Sequence, residues 1–205
     1  MTEARHRDEW GVEFSRIVAF SDGVFAIAIT LLVLAIEIPE NSADLTRVLE
    51  HQRGDFFAYA LSFGVLGKLW LSHHRFFSAL GRFDPILMGL NLVYLAFVAL
   101  VPFTSEMLGD YSEQSIAVIF YAGNMFGVSL TFALQIAYSY RANLVKPEMR
   151  DVERRVSAPS NFIVAGIFLA SIPVAVFAPT AALLMWLLIF LTGRRVSDRL
   201  AALRA

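Results

Sequence analysis

The chain has 205 residues, 57% of them hydrophobic and 17% charged, with a formal net charge of −1 and a mean hydropathy of +0.60. A soluble domain carries about 25% charged residues, so this composition argues against a water-soluble protein and for the bilayer as solvent. Cysteine is absent, which excludes disulfides, thiol nucleophiles and cysteine-based metal sites.

The stretch before Arg16 is too charged for a signal peptide, and no small-residue cleavage site follows the first apolar run. That run is therefore expected to stay as a spanning helix. A spanning helix needs about 20 apolar residues for roughly 30 Å of hydrocarbon. Six candidate segments emerge. The first covers Ile17 to Ile38 and stops at Pro39. The second covers about Phe56 to Phe77. The third starts at Asp84-Pro85, an N-cap followed by proline at the first helical position, and reaches about Met107 with Pro102 inside. The fourth covers about Ser115 to Tyr140, the fifth Pro159 to Phe177 with Pro173 inside. The sixth starts at Pro179 and leaves the membrane near Gly193. Its apolar run is short, and snorkelling of Arg194 and Arg195 extends it.

Charge sets the orientation. Arg5, Arg7 and Arg16 precede the first segment, Arg75 and Arg82 separate the second from the third, and Arg141, Lys146, Arg150, Arg154 and Arg155 separate the fourth from the fifth. Arg194, Arg195, Arg199 and Arg204 follow the sixth, whereas the opposite loops hold only Arg47 and Arg53. The positive-inside rule predicts both termini in the cytoplasm, which agrees with an even number of spans. The expected organisation is one six-helix domain over residues 1–205, with residues 1–15 and 194–205 as cytoplasmic ends of a multi-pass inner (plasma) membrane protein. In the outer loop, Leu45, Val48 and Leu49 have the spacing of a short amphipathic helix.

On a wheel of 100° per residue, Arg16, Phe20, Gly23, Ile27, Leu31, Leu34 and Ile38 fall in one stripe of the first segment, with Thr30 beside it. Ser21 and Asp22 point elsewhere. A carboxylate inside a spanning helix costs about 2.5–3.5 kcal/mol, so Asp22 is expected to face protein or water. Potential partners sit in "GKLWLSHHRFF", which supplies Lys68, Trp70, His73 and His74, and at Asn91 in the third segment. The residues alone read as a packing anchor; a proton or ion ligand is the alternative.

Arg16-x-x-x-Phe20-Ser21-Asp22, continued by "DGVFAIAITLLVL", resembles the hallmark of the transmembrane protein 175 family of potassium channels. "WLSHHRFF" and "NLVYLAFVALVPF" are also similar, so the likeness runs from about Arg16 to Leu191. The resemblance implies an all-α membrane protein of six helices per unit. In bacterial members it implies a homotetramer with the first helix lining a potassium-selective pore. It implies Ile27 as principal constriction, Leu31 and Leu34 as further rings, Thr30 as a selectivity residue, and potassium passing near Ile27 and Thr30. It implies a packing network of Arg16, Phe20, Ser21 and Asp22 with Trp70, His73 or His74, and Asn91. No "TVGYG" filter is present, so gating by dewetting of apolar rings is the expected mechanism. Glu37 and Glu40 would sit at the outer mouth.

The rival from another class is a proton-coupled transporter using Asp22, Lys68 and His73. An intramembrane hydrolase built on Ser21, Asp22 and a histidine lacks a nucleophile elbow. Adjacent His73 and His74 diverge by about 100° and do not share a metal easily. No cofactor and no nucleic-acid partner are expected; the partners are potassium ions and the lipid bilayer.

Overall fold

The computed structural model describes residues 2–36, 53–149 and 157–189. The described residues form six α-helices: α1 Thr2–Leu31, α2 Arg53–Ala79, α3 Pro85–Asp110, α4 Ser115–Arg141, α5 Ser157–Phe177 and α6 Pro179–Met185. Short 3-10 turns cover Leu32–Ala35 and Pro147–Met149. Four stretches are long and apolar enough to cross a bilayer: Glu13–Ala35, Pro85–Asp110, Ser115–Arg141 and Ser160–Phe177. Two expected spans fall short of that measure. Helix α2 is long enough, with 27 residues, but Lys68, His73, His74 and Arg75 in its second half dilute its apolarity. Helix α6 has seven residues, and the stretch in which the sixth span was expected to continue past 189 lies outside the described residues. The outer-loop helix around Leu45, the acidic pair Glu37 and Glu40, and the basic residues Arg150, Arg154 and Arg155 also lie outside them.

Local chemistry explains the boundaries. The Oδ1 of Asp84 accepts from the backbone N–H of Leu87 at 2.8 Å, capping α3 with Pro85 in its first turn, as the sequence predicts. Helix α3 continues through Pro102, and α5 continues through Pro173. The first segment behaves differently from expectation at its far end. The α-helix closes at Leu31, seven residues before Ile38, and the chain tightens into the 3-10 turn before Ile36 bends away. At its near end α1 extends back to Thr2, so the charged residues before Arg16 continue the same helix.

Helix α4 is the centre of the bundle, packed between α3 and α5, while α1 lies on α3 and α6 folds back on α5. Two of its buried hydroxyls are satisfied by its own carbonyls: Thr131 donates to Gly127 and Ser139 to Gln135. Asn124 donates across to Thr104 of α3 at 3.1 Å. Such back-bonding removes hydroxyls from contact with lipid without an external partner. At the far end of α5, Trp186 donates to Ser171 at 3.0 Å and stacks on Tyr121 and Phe168.

Glycine sets the closest approach of α3 and α4. A Cβ on Gly127 would lie 2.4 Å from the ring of Phe97. Small residues at helix interfaces in membranes permit this kind of close approach. Gly127→Ala is expected to lower stability by about 1–3 kcal/mol through overpacking. Adding Phe97→Leu is expected to recover part of the loss, and thermal unfolding of the purified protein in detergent checks both.

Candidate functional site: the polar anchor and open face of α1

Helix α1 has two unlike faces. Ser21, Phe25, Ala28 and Leu32 point into the bundle, with Phe25 1% and Ala28 2% exposed. The other face is open: Phe20 is 55%, Ile27 62%, Leu31 44% and Leu34 71% exposed. Gly23 and Thr30 lie on this open side, and so does Arg16. The wheel stripe is thus the face that the protomer itself does not cover. The 3-10 turn carries Leu34 on while keeping it outward and Leu32 inward.

The buried face is held by hydrogen bonds to α2 and α3. The indole N–H of Trp70 donates to Asp22 Oδ1 at 2.9 Å. The amide of Asn91 donates to Ser21 Oγ at 3.0 Å, and Ser21 in turn donates to the carbonyl of Ile17 at 2.9 Å. The Oδ1 of Asn91 lies 2.9 Å from Nε2 of His73. Since that oxygen only accepts, His73 Nε2 carries the proton in this pair. The His73 ring sits between aromatic neighbours, 4.1 Å from Phe77 and 5.6 Å from Tyr94 between centroids, with Phe25 tilted against it.

Ser21, Asp22, Trp70, His73 and Asn91 are therefore brought together. The geometry distinguishes the two histidines: His73 is buried in the network, while His74 is exposed and stacks on Trp70 at 5.6 Å. Arg16 and Phe20 stand outside these hydrogen bonds, on the uncovered side of α1. Lys68 is exposed on α2; its backbone carbonyl accepts from Ser72, and among the described residues its ammonium joins neither Asp22 nor His73. Of the three groups of the transporter reading, Asp22 and His73 thus share the network, and Lys68 makes no hydrogen bond to either among the described residues. Among the described residues no group of three or more histidine or acidic side chains is arranged to hold a metal. Thr30 donates its hydroxyl proton to the carbonyl of Ile27 at 2.9 Å. That bond leaves the lone pairs of Oγ1 available on an exposed side chain.

Phe97 and the clasp at the bundle end described below carried no signal in the spacing of polar residues. Phe14 was also not singled out, yet it packs on Phe77 and Phe83 and fixes α1 two residues before Arg16.

Apolar helices of spanning length with a buried polar anchor define a multi-pass helical membrane protein. Residues 16–102 match the model of the family described as endosomal/lysosomal potassium channel TMEM175. A potassium channel of Streptomyces collinus is 42% identical over 126 residues, which cover 58% of this chain and 61% of the relative. A potassium channel of Chamaesiphon minutus is 37% identical over 139 residues, covering 64% of this chain and 66% of the relative. The matched stretch thus spans somewhat less than two thirds of these curated relatives. The crystal structure of a lysosomal potassium-selective channel TMEM175 homologue from Chamaesiphon minutus superposes with a TM-score of 0.73 at 27% identity. The superposition covers 90% of this chain and 98% of that one. Over residues 16–102 the chain is thus similar to the TMEM175 family, a family of ion channels and not of enzymes, and it shares the fold of the Chamaesiphon homologue.

The anchor makes a direct prediction. Asn91→Leu strands the buried hydroxyl of Ser21 and the ring of His73, and is expected to cost about 1–3 kcal/mol. His74→Ala, at an exposed position, is expected to stay within about 0.5 kcal/mol of the parent. Paired melting curves of the two variants check the assignment of His73 rather than His74.

Proposed function

We propose that the chain is a potassium-selective, leak-like channel that works as a homotetramer, with the open face of α1 lining a central pore. The single observation that carries this reading is the asymmetry of α1. A helix anchored by a buried polar network presents Phe20, Ile27, Leu31 and Leu34 to the outside of its own protomer. One helix per chain cannot enclose a pore, whereas copies around a closed symmetry axis can. The printed names of the relatives from Streptomyces and Chamaesiphon support potassium as the conducted ion.

In this reading Ile27 forms the principal ring, and Leu31 and Leu34 form further rings displaced along the axis. Ile27 and Leu31 are about 6 Å apart along an α-helix of 1.5 Å rise per residue. Rings of this kind close by dewetting and conduct once a small widening admits water and a partly dehydrated cation. Potassium sheds its hydration shell more readily than sodium, which favours it at a narrow apolar ring. Thr30 acts next to that ring. With its proton committed to the Ile27 carbonyl, its oxygen offers lone pairs to a passing cation. Selectivity therefore rests on Thr30 and access on Ile27. Asp22, Ser21, Trp70, His73 and Asn91 orient α1 rather than touching the ion. In this reading both termini face the cytoplasm from a cell's inner (plasma) membrane, an orientation that the positive-inside rule supports from the distribution of lysine and arginine in the sequence.

The test is potassium flux from loaded vesicles. Ile27→Ala is expected to raise the flux several-fold with assembly intact, because a smaller side chain widens the ring. Thr30→Ala is expected to lower the preference for potassium over sodium while leaving conduction measurable. Unchanged flux in correctly assembled Ile27→Ala, or saturable flux strictly coupled to protons in the parent, removes the channel reading.

A further inference from the structure

The loops at one end of the bundle are joined by main-chain hydrogen bonds. Gly81 and Arg82 donate to the carbonyl of Leu144 at 2.8 and 3.1 Å, and Lys146 donates to the carbonyl of Ala79 at 2.9 Å, around an antiparallel bridge between Leu80 and Val145. Asp84 accepts from the hydroxyl of Tyr138 at 2.6 Å and also caps α3, so both of its oxygens are engaged. Lys146 runs across this clasp. Its Cγ would lie 3.2 Å from a Cβ on Gly81, so the glycine makes room for the stem. Its ammonium donates to the carbonyl of Ser78 at 2.8 Å, one of the last carbonyls of α2. A cation at a helix C-terminus is favoured by the helix dipole.

The clasp has a second consequence besides holding α2. It carries two cations: Lys146, paired through its backbone with Ala79 and with its stem over Gly81, and Arg82, whose backbone N–H is held by Leu144. Arg141 closes α4 three residues before Leu144, and Arg75 lies three residues before Ser78 on α2. All four cations are exposed. Among the described residues the carboxylates of the same loops are Asp84, already engaged, and Glu148, exposed two residues beyond Lys146; Asp151 and Glu153 of the loop after α4 lie outside the described residues. Among the described residues none of the four cations forms an ion pair, and Lys146 retains two N–H donors. The clasp joins the end of α2 and the start of α3 to the end of α4, at the level where spanning segments meet the membrane surface.

We propose that this clasp binds the phosphate of an anionic phospholipid headgroup, with Lys146 as the held donor and Arg82, Arg75 and Arg141 as the surrounding charges. Basic clusters at the ends of spanning helices attract anionic lipid, and charge-assisted hydrogen bonds to phosphate supply selectivity over zwitterionic headgroups. The proposal does not depend on which ion the protein conducts.

Native mass spectrometry of the intact protein in neutral detergent tests it, with phosphatidylglycerol and phosphatidylcholine of the same acyl chains as probes. Phosphatidylglycerol is expected to be retained several-fold better. Arg82→Gln combined with Arg141→Gln removes two side chains that make no hydrogen bond among the described residues, so folding is expected to persist while the preference falls several-fold. Gly81→Val, which dislodges the Lys146 stem, is expected to lower it as well. Equal retention of the two lipids by the parent protein overturns the proposal, and so does full preference in the folded double variant. Displacement of the lipid by equimolar glycerol phosphate overturns the lipid as ligand.

Discussion

The structure depends on two hydrogen-bonded links between α1 and its neighbours, Trp70 to Asp22 and Asn91 to Ser21. In hydrocarbon there is little hydrophobic drive to choose one helix face over another, since lipid tails are as apolar as leucine. Polar groups therefore decide rotation. An indole and an amide that find their acceptors on one side of α1 fix the azimuth of every side chain beyond them. Phe25 and Ala28 are buried as a result, and Ile27 and Leu31 are left outward. The proposed pore face is thus a by-product of where the polar groups of α1 are satisfied.

His73 extends the same logic. Its proton is held toward Asn91, and its ring is stacked among Phe77, Tyr94 and Phe25. The amide of Asn91 serves as a two-sided connector, accepting from α2 and donating to α1. No leucine or aspartate supplies both functions at that point. The Phe14, Phe77 and Phe83 cluster then ties α1 at Phe14 to the end of α2 through aromatic packing.

Much of this was legible in the residues. Asp84-Pro85 announces the start of α3, and the apolar runs give the extents of α3, α4 and α5 to within a few positions. The stripe through Ile27, Leu31 and Leu34 follows from a constant angle per residue. Its open exposure does not, because an apolar stripe is equally suited to a buried face. The choice of His73 over His74 was also beyond the sequence: both lie near Asp22 in depth, and only the rotation of α2 separates them. The early end of the α-helix at Leu31 escaped for a similar reason, since "LVLAIEIP" continues the same apolar composition through the 3-10 turn. The clasp of Leu80 and Val145 joins loops separated by more than sixty residues and has no local signature.

Asp84 and Asn124 have a mechanical meaning when taken together. Tyr138 ties the end of α4 to the start of α3 through Asp84, and Asn124 ties the start of α4 to the end of α3 through Thr104. Between the two ties, Phe97 is keyed into the gap at Gly127. A pair of antiparallel rods pinned at both ends and notched in the middle cannot slide lengthwise. Within the bundle these two helices thus act as a stator on which α1 is hung.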